Sequence, residues 1–219
     1  MSKIKSKEKY VKGIITKLKK LYPKPKTALK YKKIHELLFS VIMSAQSTDV
    51  QINKITNKLF KKYKTLEDYA NADLKEFEED IRSSGFYRNK AKNIVNAAKM
   101  IIDDFDGKVP DNMEDLIKLP GVARKTANIV LNDGYGIQSG IAVDTHVIRL
   151  TNRLGLTKHK DPVKIEKDLM EIVPKKDWDR FSHLLVLHGR AVCEARKPKC
   201  GECVLNKVCP NAFKFPHFK

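Results

Sequence analysis

The sequence lacks any long hydrophobic run. No stretch of it approaches the about 18 uncharged apolar residues that a membrane-spanning helix needs. The amino terminus, MSKIKSKEKY, also lacks the apolar centre of a signal peptide, so we expect a cytoplasmic protein without a membrane partner. Cysteine is scarce as well, with 4 in 219 residues. In a chain without an export signal, these cysteines are not expected to form disulfides.

Acidic residues are few beside the basic ones. The chain has 26 Asp and Glu against 44 Lys and Arg, which gives a formal net charge of +18. Lysine and arginine bind nucleic acids by displacing counterions from the phosphates, so this charge is compatible with a nucleic-acid partner. A lysine-rich solvated surface would have the same composition, and charge alone does not separate the two interpretations.

The sequence has no alternating strand pattern and no Asn-Gly hairpin signal. Apolar residues recur instead at helical spacing, as over 94–105, where Gly107 follows as a stop. A second such stripe covers 11–22. The run over 34–45 is apolar on nearly every side, which predicts a buried central helix. We therefore predict an all-α protein of about ten helices.

Two short helices are predicted on either side of the LPGV segment at 119–122, one over 113–118 and one that begins near Ala123. Pro120 fixes φ and Gly121 can adopt a positive φ, so the chain can turn tightly with its backbone N–H groups outward. With the positive end of the following helix, those groups would form a site for one phosphate. An ordinary αα-hairpin would have the same pattern.

Two titratable residues stand at predicted helix starts. Lys125 lies in the first turn of the second hairpin helix beside Arg124. The helix N-terminus and the neighbouring cation both favour the neutral amine, which is the form that attacks carbon. Asp144 begins a polar trio that interrupts the apolar run at 141–147. Most lysines in so basic a chain are solvated, and an Asp before Thr-His-Val is an excellent helix N-cap, so position alone leaves these alternatives open.

The four cysteines, Cys193, Cys200, Cys203 and Cys209, have the spacing C-x6-C-x2-C-x5-C. Four thiols so close in sequence indicate a metal site. Structural zinc usually has two short knuckles, whereas this run has a single CxxC. An all-cysteine set also suits a 4Fe–4S cluster, and spacing alone does not decide between the two.

Four separated motifs resemble those of the endonuclease III family of DNA glycosylases and AP lyases. They are SAQSTD at 44–49, LPGVARKTANIVL at 119–131, VDTHV at 143–147 and the cysteine array at 193–209. The resemblance extends over nearly the whole chain. In the hairpin, Ala123 stands where the family usually has a second glycine.

The resemblance implies a two-lobed helix-hairpin-helix DNA glycosylase fold. Residues 27–137 would form a six-helix barrel lobe, with the helix-hairpin-helix at about 113–131. Residues 1–26 and 138–219 would together form a cluster lobe. Within that lobe, 193–209 would bind a structural 4Fe–4S cluster.

The resemblance also implies roles for individual residues. Lys125 would attack C1′ of the damaged nucleotide, and Asp144 would take its proton or stabilise positive charge on the sugar. Gln46 would enter the duplex opposite the extruded base, and Phe86 would be an apolar wedge. Without the resemblance, Gln46 is a polar residue at a helix end and Phe86 is a buried anchor.

Further DNA contacts are expected from the hairpin and from the basic loop between the first two cysteines. These residues are Leu119, Gly121, Ala123, Arg124, Arg196, Lys197 and Lys199. The alternative for the loop is a solvated run of charges.

We therefore expect a bifunctional DNA glycosylase and AP lyase of base excision repair. It would remove oxidised pyrimidines from double-stranded DNA through a lysine Schiff base and cut 3′ to the abasic site by β-elimination. We expect it to act as a monomer, associated with the nucleoid. The alternatives are a monofunctional mismatch or alkyl-base glycosylase, against which Lys125 argues, and a non-enzymatic DNA-binding protein, which would have no use for Lys125 and Asp144.

Overall fold

The computed structural model describes residues 2–218, and their side chains from Ser6 onward. All the repeating structure in that range is helical, which confirms the all-α prediction. The α-helices of the described range are α1 (Ser2–Leu21), α2 (Ile34–Ser44), α3 (Asp49–Lys62), α4 (Leu66–Ala70), α5 (Leu74–Asp80), α6 (Tyr87–Asp104), α7 (Met113–Leu116), α8 (Arg124–Ile129), α9 (Thr145–Arg153), α10 (Pro162–Ile172) and α11 (Trp178–Ala191). Over residues 2–218, none of them combines the length and hydropathy that crossing a membrane requires.

The chain divides into two compact units. We call Ala28–Ser139 the central unit, and the described residues of Met1–Thr27 and Gly140–Lys219 the terminal unit. Met1 and Lys219, the ends of the predicted cluster lobe, lie outside the described residues. The identification of these parts as a barrel lobe and a cluster lobe stays a prediction.

The core of the central unit is built around α2. Its residues from Glu36 to Met43 are all buried, which confirms the buried helix predicted from its apolar run. Aromatic rings pack beside it: Phe39 lies 4.7 Å from Tyr69 between ring centroids, and Tyr69 contacts Phe77 edge to face. Such pairs stabilise the core beyond simple burial. The rigid core fixes the end of α2, from which the loop with Gln46 departs.

The apolar stripe predicted over 94–105 forms the buried face of α6. Four of its residues have no exposed surface: Ile94, Ala97, Ala98 and Ile101. Gly107, at a φ of 68°, follows the helix and donates its N–H to the Ile101 carbonyl at 2.9 Å. This is a left-handed helix cap, so the sequence located the end of α6 correctly.

The core of the terminal unit joins distant parts of the chain. Val11, Ile14 and Leu18 of α1 are fully buried, and they belong to one cluster with apolar residues of α9, α10 and α11. Leu21 is 45% exposed, so the predicted stripe of α1 leaves the core before the helix ends. The terminal unit therefore depends on contacts between residues more than a hundred positions apart.

Candidate functional site

The hairpin between α7 and α8 turns at Gly121. Its φ is 77°, in the left-handed region that glycine adopts without strain. A Cβ at this position would lie 2.9 Å from both Cβ and Nδ2 of Asn93, closer than real side chains approach. Both backbone conformation and packing therefore require glycine here, and Asn93 supports the hairpin from α6.

The hairpin presents backbone donors rather than apolar side chains. Gly121 and Ala123 are exposed, and within residues 2–218 neither of their N–H groups donates to another backbone group. Leu119 is only 2% exposed, and its N–H donates to the Leu116 carbonyl at 3.2 Å. Leu119 therefore packs in the core beneath the turn. Gly121 and Ala123 have the N–H groups that could donate hydrogen bonds to an anion.

Lys125 lies in the first turn of α8, which begins at Arg124. Both side chains are half-buried. The next three residues, Thr126 to Asn128, are buried, and α8 then continues into a π-helical segment over Val130–Tyr135. Packing of this helix on the core thus fixes where the Lys125 side chain starts.

Asp144 is the N-cap of α9, as the alternative interpretation of the sequence predicts. Its φ and ψ are −109° and −175°, and its Oδ1 accepts a hydrogen bond from the Val147 N–H at 2.8 Å. The cap holds one carboxylate oxygen and fixes the direction of the group. A cap and a chemical role are therefore compatible in this residue, which lies in the terminal unit, whereas Lys125 lies in the central unit.

Gln46 and Phe86 share an unusual backbone. Their φ angles are 54° and 50°, in the left-handed region that costs a non-glycine residue about 1 kcal/mol or more. Both side chains are exposed, and Phe86 is 66% exposed. The alternative that Phe86 is a buried anchor is wrong. Each loop therefore projects a large side chain outward on a strained backbone.

The four cysteines lie in the terminal unit as free thiols. Cys200 is buried and the other three are half-buried. Burial, with smaller effects from the neighbouring cysteines, raises the pKa of Cys203 to about 11. Four thiolates in one partly buried segment need a compensating positive charge, which a bound metal centre supplies.

Hydrogen-bond donors surround the sulfur atoms. The Cys193 sulfur accepts from the Arg153 guanidinium at 3.2 Å, and the Cys203 sulfur accepts from the Leu205 N–H at 3.4 Å. His188 Nε2 also lies 3.2 Å from the Cys203 sulfur, and burial lowers the His188 pKa to about 4. Donors of this kind stabilise the thiolate ligands of an iron–sulfur cluster and tune its potential. The residues present therefore fit such a cluster.

Zinc is the alternative metal for four cysteines. It would bring the sulfurs within about 2.3 Å of one point. Across residues 2–218, no three Cys, His, Asp or Glu side chains converge to hold a single ion. A 4Fe–4S cluster would bind one cysteine at each iron, and the positions of the cysteines by themselves do not decide between the two metals.

Arg153 also organises the basic loop between Cys193 and Cys200. Its guanidinium donates to the carbonyls of Glu194 and Ala195, each at 2.7 Å. Arg196 and Lys197 are exposed. Lys199 is exposed as well, but its ammonium pairs with Glu194 at 3.2 Å. Of the three predicted phosphate contacts in this loop, Lys199 thus has a competing partner.

Sequence reasoning missed Arg153, His188 and Lys90. Arg153 and His188 contact sulfur atoms that lie 40 and 15 positions away, and no local motif marks them. Lys90 is one of many lysines on amphipathic helices, yet it is buried. Its place on the apolar side of α6, one residue before Ala91, is the only sequence signal that could have distinguished it.

Comparison with known proteins identifies the family. Residues 39–175 match the HhH-GPD superfamily of base excision DNA repair proteins, and 193–209 match the iron–sulfur binding domain of endonuclease III. Endonuclease III of Synechocystis sp. is 52% identical over 212 residues, which cover 97% of each chain. That of Bacillus subtilis is 46% identical over 202 residues, 92% of each chain.

The same family is found among solved structures. A trapped covalent intermediate of endonuclease III with DNA has a TM-score of 0.90 at 42% identity. The match covers 94% of this chain and 97% of that one. The second domain match spans all four cysteines, which decides between iron–sulfur and zinc. The chain therefore belongs to the endonuclease III family of base excision repair enzymes, DNA glycosylases and AP lyases that carry a 4Fe–4S cluster.

Proposed function

We propose that this protein removes oxidised pyrimidines from double-stranded DNA and cuts the strand 3′ to the resulting abasic site. The observation that carries the proposal is the motif pair LPGVARKT and VDTHV in a chain of this family, with Lys125 at the start of α8 and Asp144 capping α9. The solved covalent endonuclease III–DNA intermediate among its structural neighbours supports an attack by the protein on the DNA.

In the proposed reaction, the neutral Nζ of Lys125 attacks C1′ of the damaged nucleotide. The N-glycosidic bond breaks, and the base leaves with its electron pair and takes up a proton. Opening of the sugar ring then gives a Schiff base between Nζ and C1′. Loss of a proton from C2′ expels the 3′ phosphate, which is the β-elimination.

Asp144 is proposed to accept the Lys125 proton or to stabilise positive charge on the sugar. Its second oxygen, Oδ2, suits this role, because the cap bond to Val147 occupies Oδ1. When bound, the iron–sulfur cluster cross-links the four cysteines and so stabilises the segment that carries the basic loop. No step of base excision needs an electron from it.

DNA binding is proposed to use the hairpin, the two strained loops and the basic loop. Gly121 and Ala123 are exposed and their N–H groups donate to no backbone group of the described residues, so they suit a phosphate, with Arg124 beside them. Gln46 and Phe86 would fill the space that base extrusion leaves, an event that costs a few kcal/mol of stacking and pairing. The net charge of +18 strengthens every phosphate contact. We further propose that the protein acts as a monomer on nucleoid DNA in the cytoplasm.

Borohydride trapping tests this proposal. The protein is incubated with a labelled duplex that carries one oxidised pyrimidine, and borohydride reduces any Schiff base to a stable covalent product. We expect a covalent band with the native chain and with Lys99→Ala, an exposed lysine on α6, and no band with Lys125→Ala. Full strand cutting by Lys125→Ala would refute the lysine mechanism. Excision without any covalent band from the native chain would favour a monofunctional glycosylase.

A further inference from the structure

Lys90 is buried inside the central unit. Only 5% of its surface is exposed, whereas Lys92 and Lys99 on the same helix are exposed to solvent. Its Nζ donates to two backbone carbonyls, those of Met43 and Ser84, each at 2.8 Å. Lys90 lies on α6, so a single ammonium connects three separate segments of the chain.

The two carbonyls belong to the loops that carry Gln46 and Phe86. Met43 lies near the end of α2, three residues before Gln46, and Ser84 lies two residues before Phe86. A second, exposed contact connects α3, which follows the Gln46 loop, to the Phe86 loop, because Gln51 Nε2 donates to the Ser83 hydroxyl at 2.8 Å. Two sets of hydrogen bonds therefore connect the Phe86 loop to the chain on either side of Gln46. The set made by Lys90 is buried, and the bond made by Gln51 is exposed.

Burying a charged lysine at this position has a desolvation cost. Burial lowers the Lys90 pKa to about 8, because the charged form loses its water. A methionine would fill similar space without that cost, but it would leave two buried carbonyls without a donor. What the ammonium provides, and an apolar side chain cannot, is a fixed connection between two backbone segments.

We propose that Lys90 is a positioning residue that holds the Gln46 loop and the Phe86 loop as one preformed wedge for the DNA duplex. The inference rests on the proposed function, in which those two side chains enter the duplex. Both side chains stand on left-handed backbones that a free loop would relax. Joining the loops before DNA arrives reduces the ordering that binding must impose, so base extrusion becomes easier.

The test compares two substrates with Lys90→Met. One is a duplex with a paired oxidised pyrimidine, which must be extruded. The other is a single strand with a preformed abasic site, which needs no wedge. We expect single-turnover excision from the duplex to fall about tenfold or more, while strand cutting at the single-stranded abasic site stays within about threefold of native. A 2-aminopurine beside the lesion should show a correspondingly weaker fluorescence rise, since its unstacking reports extrusion.

Three variants complete the experiment. Lys99→Met removes the same charge from an exposed site on the same helix and should excise at the native rate. Lys90→Arg keeps the donors and should recover part of the loss. Gln51→Ala removes only the exposed hydrogen bond to Ser83. It should also reduce duplex excision, but by less than Lys90→Met does. If Lys90→Met does not fold, Gln51→Ala replaces it in the test.

Two results would overturn the inference. One is native duplex excision and native 2-aminopurine signal in folded Lys90→Met, or in Gln51→Ala if Lys90→Met does not fold. The other is an equal loss on both substrates, which would mean that Lys90 only supports the fold. Failure of the proposed function is separate, because it would appear as absence of borohydride trapping by the native protein.

Discussion

The guanidinium of Arg153 donates a hydrogen bond to the sulfur of Cys193 at 3.2 Å, across 40 positions of sequence. The same group donates to the carbonyls of Glu194 and Ala195 and stacks over the Phe215 ring, 4.5 Å from its centroid. Arg153 therefore connects the end of α9, the proposed cluster ligand Cys193, the basic loop and the chain after the last cysteine. One side chain links the metal site to the surface proposed to contact phosphate.

Replacing Arg153 by alanine should release the cluster more readily. The variant loses a charged donor to the Cys193 sulfur and the hydrogen bond to the half-buried Glu194 carbonyl, which should cost about 2 kcal/mol. We expect a lower iron content after purification and a faster loss of the yellow-brown absorbance in chelator. Arg180→Ala, an exposed arginine of the same unit, is the matched control. Equal iron retention in the two variants would contradict this prediction.

Replacing Asp144 by asparagine should separate capping from catalysis. The asparagine side-chain oxygen can still accept from the Val147 N–H, so Asp144→Asn should leave the unfolding free energy within about 0.5 kcal/mol of native. Its excision rate should fall about a hundredfold, because the carboxylate charge is gone. Asp144→Ala should lose about 1 kcal/mol of stability as well. Native excision by Asp144→Asn, measured in single turnover, would exclude a chemical role for the carboxylate.

The hairpin should not tolerate a side chain at Gly121. Gly121→Ala meets the left-handed backbone cost of about 1 kcal/mol and, in addition, a clash with Asn93 that should cost about 1–3 kcal/mol. Gly136→Ala is the matched control, since Gly136 has a φ of 70° but open space around its Cβ position. Urea unfolding should therefore show a larger loss for Gly121→Ala, accompanied by weaker DNA binding. Equal losses would show that the contact with Asn93 relaxes without cost.

Burial of Lys90 predicts a pH dependence of stability. Its pKa is about 8 in the folded chain, against an ordinary value of 10.5, so the unfolded chain binds more protons between those values. The unfolding free energy of the native chain should therefore rise with pH over that window, by up to about 3 kcal/mol relative to Lys90→Met. Urea titrations of both proteins from pH 7 to about 10.5 measure the difference. Parallel curves would mean that the Lys90 amine titrates like one in water.

The features that the sequence predicted are those set by local chain physics. The apolar stripe of α6, the glycine that ends it and the capping Asp144 each involve residues a few positions apart. The hairpin and the cysteine array are also local, so their spacing alone predicts a tight turn between two helices and a metal site. The likeness of these motifs to one family was therefore sufficient to predict the fold class, the enzyme class and the cofactor.

Tertiary packing decided which side chains are buried and which are exposed. Lys90 differs from the exposed Lys92 in the sequence only by its place on the apolar side of α6. The hydrogen bonds to the Met43 and Ser84 carbonyls, which connect distant segments, could not be read from the sequence. Phe86 illustrates the converse, since an aromatic residue that packing could have buried is exposed on a left-handed backbone. Burial depends on segments that the chain brings together from far apart. The sequence by itself thus determined the helices and the chemistry of the motifs, and the folded chain determined how their loops are held.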